Sequence, residues 1–128
     1  MYLRGENASI DLNSYGIGRF PALQSLQVLP INDCIIITLY DRSTKIGALL
    51  CMDYIASLTK IDECITSMRK FGAEVGSLQK IIITMNIRDR EKKIIVNLLT
   101  KLKGGLLLPL EDLCLIQLSL NNGTVWEN

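Results

Sequence analysis

Apolar positions along this chain recur at two spacings, and the change from one to the other marks its elements. Residues 35–40 (Ile-Ile-Ile-Thr-Leu-Tyr) and 80–85 (Lys-Ile-Ile-Ile-Thr-Met) are short and rich in β-branched side chains. They predict buried strands. Residues 23–29 alternate in part, with Leu23, Leu26 and Val28 set against Gln24 and Gln27, and predict a strand ending at Pro30. The polar turn 41–44 returns the chain into a strand over 45–51, so 35–51 reads as a hairpin. A last long strand is expected over 113–120, with Cys114, Ile116, Leu118 and Leu120 on one face. Asn122-Gly123 then turns the chain so that 124–126 can pair back.

The second spacing is helical. Ile61, Cys64, Ile65, Met68 and Phe71 fall at three- and four-residue steps, as do Ile94, Ile95, Leu98, Leu99 and Leu102. Thr59 with Asp62 resembles a capping box, and Gly72 stands where a left-handed cap is wanted. Asn86 or Asp89 is the candidate cap of the second helix, and Gly104-Gly105 its end. Residues 5–22 are mostly polar, carry Gly5, Gly16, Gly18 and Pro21, and read as an irregular lead-in. The prediction is one α+β domain over 1–128 with an irregular stretch over 1–22. Mixed β-sheets pack as a sandwich, and two amphipathic helices lie against them.

Composition narrows the chemistry. The 128 residues hold 48% hydrophobic but only 5% aromatic side chains, so the core is aliphatic. Net charge is +1, with acids and bases intermixed. No basic stripe marks a nucleic-acid partner, and the tract 88–93 reads as a solvated helix start. No apolar run is long enough to span a membrane, and the polar start argues against a secretory leader. Four separated cysteines and no histidine make a metal site or a zinc-binding motif improbable, and no cofactor is implied. A reduced, cytoplasmic setting fits best. Cys64 and Cys114 read as ordinary buried thiols.

The stretch Asn32-Asp33-Cys34-Ile35-Ile36-Ile37-Thr38-Leu39-Tyr40-Asp41, followed by Lys45-Ile46-Gly47-Ala48-Leu49-Leu50, resembles the chemoreceptor glutamine deamidases (CheD-like proteins). Residues 28–75 carry the specific part of the likeness. In that family a Gly-Ser-Cys nucleophile precedes an apolar strand ending in Tyr-Asp, and a returning strand delivers a catalytic histidine. The resemblance places Cys34 at the nucleophile and Cys51 where the histidine belongs. Val28 stands at a threonine position, and Asn32-Asp33 replaces Gly-Ser. The family's Leu-Pro after the histidine is absent from 52–55. A thiol cannot do the work of an imidazole, and an aspartate beside a cysteine raises its pKa.

The resemblance therefore implies a scaffold without its acid–base machinery. Both Cys34 and Cys51 are vestigial, and no residue is assigned as catalytic. The expected function is a non-catalytic, CheD-like protein-binding module that regulates or inhibits a partner enzyme, such as a bacterial cysteine deamidase or transglutaminase. Candidate partner-binding residues are Asn32, Asp33, Asp41, Tyr54 and Trp126. The setting would be the bacterial cytoplasm, or a host cytosol for an exported effector. Two alternatives stand beside it: an active protein-glutamine deamidase with Cys34 as nucleophile, and a structural subunit of a complex. A Cys34–Cys51 disulfide is a further expectation if the two face each other across the hairpin.

Overall fold

The computed structural model describes residues 6–30, 34–85 and 87–128, with the side chains of 55–57 left aside. Among them the order is β1 (Asn7–Ser9), β2 (Ser14–Arg19), β3 (Ser25–Val28), β4 (Cys34–Asp41), β5 (Ile46–Asp53) and α1 (Tyr54–Phe71). A 3-10 turn (Val75–Ser77), β6 (Gln79–Met85), α2 (Asp89–Leu102), β7 (Leu106–Leu110), β8 (Ile116–Ser119) and β9 (Val125–Glu127) complete it. The strands form two mixed sheets, ordered β1-β3-β8-β9 and β2-β5-β4-β6-β7. The fold is α+β, as the spacing of apolar residues predicts.

Three layers follow from which face each apolar residue takes. Successive strand residues point to opposite faces. From β4 and β5, Ile35, Ile37, Leu39, Leu50 and Met52 meet Ile61, Cys64 and Met68 of α1 and Leu98 and Leu102 of α2. The alternate residues Ile36, Leu49 and Cys51 meet Leu26 and Val28 of β3 and Ile116 and Leu118 of β8. All eight residues of β4 are buried, because this strand is covered on both faces. A strand buried twice reads as a continuous apolar run rather than an alternation, and 34–41 does.

The outward face of the four-stranded sheet is polar. Asn128 Nδ2 donates to Gln117 Oε1 (2.9 Å), Gln117 Nε2 to Gln27 Oε1 (3.1 Å), and Gln27 Nε2 to Ser9 Oγ (3.1 Å). This ladder joins three strands and the residue after β9, and it satisfies amides that would otherwise be costly to bury.

The glycine cap holds: Gly72 has φ +113°, its N–H donates to Arg69 O, and Ala73 N–H donates to Met68 O. Arg19 of β2 adds a bond from its guanidinium to Phe71 O (2.9 Å). The helix itself starts earlier than its capping-box reading, at Tyr54, so Thr59 is inside it. The N-cap of α2 is Arg88, whose N–H is accepted by the buried Glu91 carboxylate at 3.0 Å. Asn86 lies outside the described residues. Lys103 is the left-handed C-cap, one residue ahead of Gly104-Gly105.

Two expectations are corrected. The lead-in is not irregular throughout: β1 pairs with β3 in parallel, and β2 pairs with β5 over its full length. The strand expected over 113–120 shortens to β8, and β7 is an additional strand parallel to β6.

Tyr40 locks the layers together. Its hydroxyl donates to Leu120 O at 2.9 Å, crossing from one sheet to the other. Its ring fills the space left by Gly123 of the β8–β9 turn, where an added Cβ would stand 2.4 Å from Tyr40 Cδ2. Gly123 also has φ +78°, a region that L side chains avoid. Gly123→Ala is therefore expected to cost about 3 kcal/mol, overpacking and backbone strain combined. Gly104→Ala, with φ +107° but no atom within 4 Å, should lose about 1 kcal/mol. Urea unfolding of both variants checks the difference, and equal losses would remove the packing role of Tyr40.

Candidate functional site

The two cysteines singled out by the resemblance do come together, but inside the protein. Cys34 opens β4 opposite Asp53, and Cys51 of β5 lies opposite Ile36. Positions two apart on paired antiparallel strands share a face, so both thiols enter the core between the sheets. Each is 2% exposed. Their sulfurs share a hydrogen bond, and the Cys51 thiol is pushed far up by that bond, then by burial, then by the proximity of Cys34. No cation is among these influences.

The pair is two thiols and not a disulfide. Diagonal neighbours in a sheet sit roughly 7–8 Å apart at Cα, beyond the usual span of a disulfide. The register sets the two cysteines diagonally and not face to face, and hydrogen bonding is what it permits. Cys64 is also buried, and burial followed by Glu63 pushes its thiol up to about 12. Cys114 is half-buried and raised by burial, Glu127 and Asp112 in that order. None of these shifts favours a thiolate.

Beside the pair lies a cleft of about 330 Å³ at the ends of β1, β3 and β5. Cys51 and Val28 form its floor, two of the positions named by the resemblance. Ser9, Asp11 and Gln27 supply polar groups to the wall. Leu12 and Leu29 stand at its rim, 44% and 65% exposed. Sequence reading missed these rim leucines because each sits alone in a polar or turn-forming stretch. Their exposure emerges only when β1, β3 and β5 converge. The same end is tied by Asn13, whose left-handed backbone (φ 60°) lets Oδ1 accept the Asp53 N–H at 3.0 Å.

Of the expected partner-binding residues, Asp41, Tyr54 and Trp126 fall among the described ones. Asn32 and Asp33 lie outside the described residues. Tyr54 is buried in the helix-side core at 4% exposure, so it is not a surface anchor. Trp126 pairs with Gln117 and therefore belongs to the outward polar face of the four-stranded sheet. Its indole N–H is buried without an acceptor among the described residues. Asp41 ends β4, about 23 Å from Cys34 at 3.3 Å per residue.

Asp41 is 2% exposed, and its carboxylate is used within the chain. Oδ1 accepts Ser43 N–H (3.1 Å) and Ser43 Oγ–H (2.8 Å). Oδ2 accepts Thr44 Oγ1–H (2.6 Å) and the Glu74 N–H (2.7 Å). The first three bonds shape the turn after β4, and the last ties that turn to the segment following α1. Asp41 is a structural tie, and the loop surface belongs to Arg42 and Ser43.

Among the described residues no three histidine, cysteine, aspartate or glutamate side chains converge as metal ligands. No described helix is long and apolar enough to cross a membrane. No family model matches the chain, and no curated protein matches it in sequence.

Asp41 generates a pH prediction. Burial pushes its carboxyl up, but the bonds from Thr44, Glu74 and Ser43 together hold it below its ordinary value of 3.8. The unfolded chain therefore takes up the proton first on acidification. The stabilisation from Asp41 is complete above the unfolded value and is lost as pH falls through the lower, folded one. Asp41→Asn should destabilise the protein by about 1–3 kcal/mol at neutral pH. The gap to the parent should narrow toward about pH 3. Urea midpoints at both pH values measure it, and a gap that stays constant would remove the charge from the account.

Proposed function

We propose that this chain is a non-catalytic protein-binding module that regulates or inhibits a partner enzyme. Its surface would be built around the cleft at the end of β3 and β5. The observation that carries this reading is the pair of hydrogen-bonded, buried thiols at Cys34 and Cys51. A cysteine nucleophile needs a base or a stabilised thiolate. Here the position across from Cys34 holds Cys51, a thiol kept in its protonated form, in place of an imidazole that could accept a proton. The resemblance to the CheD-like deamidases supports a protein as the ligand, since that family acts on and binds proteins. The enzyme regulated would then be of the cysteine deamidase or transglutaminase kind, by analogy alone.

The cleft supports a binding role independently of that likeness. An apolar floor, two exposed leucines at the rim and a few polar groups in the wall make a pocket for one apolar side chain of a partner. Leu29 and Leu12 replace Tyr54 and Asp41 as the residues at which contact is expected.

Two measurements test the reading together. Iodoacetamide at neutral pH should label Cys34 no faster than a free peptide thiol. Affinity capture with Cys34→Ala should retain the partner seen with the parent, whereas Leu29→Asp should lose it. Rapid labelling at Cys34, or a partner released by Cys34→Ala but kept by Leu29→Asp, would return the function to the sulfur.

A further inference from the structure

One edge of the five-stranded sheet is β7, which pairs only with β6 and has no hydrogen-bonded strand on its other side among the described residues. Its sequence, Leu106-Leu107-Leu108-Pro109-Leu110, contains no charge. Exposed edges are ordinarily blunted by lysines, bulges or covering segments, since unpaired N–H and C=O groups recruit other strands. Here Pro109 is the one such feature within the strand. Leu106 is 60% exposed and Leu107 38%, and Leu113 just beyond the strand is 52% exposed. Leu106 and Leu107 point to opposite faces of the sheet, so the unpaired backbone is flanked by an exposed leucine on each side.

The charges lie at the two ends of that edge and differ in sign. Before β7 stands Lys103, exposed and in no ion pair among the described residues. After it stand Glu111 and Asp112, both exposed. They line a cleft of about 480 Å³ together with Glu127 and Asn128 of the neighbouring edge strand's end. An edge that is basic at its start and acidic at its finish is complementary to itself when reversed.

We propose that β7 pairs antiparallel with β7 of a second copy of this chain, joining two five-stranded sheets across a twofold axis. Centred on Leu108, the pairing sets Leu106 against Leu110 and Leu107 against Pro109. The second copy's Lys103, just before its own β7, then lies at the end of the ladder where Glu111 and Asp112 follow the first, and symmetry repeats the juxtaposition at the other end. A twofold interface is self-complementary in this way: each residue contributes once to each side. Leu106 and Leu107 leave water on pairing, and the ladder supplies partners for the open backbone groups. Pro109 has no N–H to give, so the pairing is short and depends on leucine burial as much as on the ladder. The inference is independent of the regulatory reading, because β7 lies across the sheet from the cleft beside Cys51.

Sedimentation equilibrium of the full chain, from about 1 to 200 µM, reads the result. The parent should show a monomer–dimer equilibrium. Leu106→Lys, at an exposed position, should be monomeric throughout. Lys103→Glu sets like charges together at both ends and should weaken association about tenfold or more. The double variant Lys103→Glu/Asp112→Lys should restore it to near the parent value. A parent that stays monomeric at the highest concentration overturns the proposal. So does a dimer indifferent to Leu106→Lys and Lys103→Glu, or one that the charge exchange fails to rescue.

Discussion

The structure depends on burying one strand on both faces. β4 runs through the middle of the five-stranded sheet, with α1 and α2 on one side and β3 and β8 on the other. Its side chains are therefore mostly apolar or satisfied by bonds from within the chain, the exception being Thr38, whose buried hydroxyl has no partner among the described residues. Tyr40 and Asp41 show the second solution: the phenol finds a carbonyl across the sandwich, and the carboxylate collects four donors. Cys34 shows the first, since a thiol is nearly as apolar as the aliphatic groups around it. The two ends of β4 thus differ. One is closed by a hydrogen-bonded turn, and the other opens beside a cleft.

That constraint explains what could be read from the sequence. Elements buried on a face declare themselves by periodicity, and the β4–β5 hairpin, β6, both helices and the Asn122-Gly123 turn were legible for that reason. β2 was not, because Ser-Tyr-Gly-Ile-Gly-Arg has neither alternation nor β-branching in sufficient density. Its glycines are there for neighbours: a Cβ on Gly16 would stand 2.3 Å from Ile10, and one on Gly18 2.9 Å from Leu23 and Leu120. A strand chosen for close approach looks like a loop in sequence. β7 was missed for the opposite reason. Consecutive leucines with a proline have little preference for strand, and the parallel partner β6 supplies the pairing that intrinsic propensity does not.

The site was legible in part. The juxtaposition of Cys34 and Cys51 follows from hairpin register alone, and Val28 joins Cys51 at the cleft. Type alone did not reveal that Asp41 and Tyr54 are buried, because an aspartate can serve as a long-range tie and a tyrosine can fill an inner face. Exposure is a tertiary property. Leu12 and Leu29 look like stray apolar residues in sequence, yet the convergence of β1, β3 and β5 makes them the rim of one cleft.

The chemistry of the paired sulfurs follows from where they sit. Ionising Cys51 would place a charge between two sheets lined by Leu26, Val28, Ile36 and Ile83. The group available to stabilise it is another S–H, a weak donor. An imidazole at that position would change both terms, accepting the proton and leaving an ion pair in place of a lone charge. With a second thiol there, the pair satisfies its weak hydrogen-bonding capacity internally and behaves as one more piece of the core. Each pKa unit of upward shift adds about 1.4 kcal/mol to the cost of forming the thiolate.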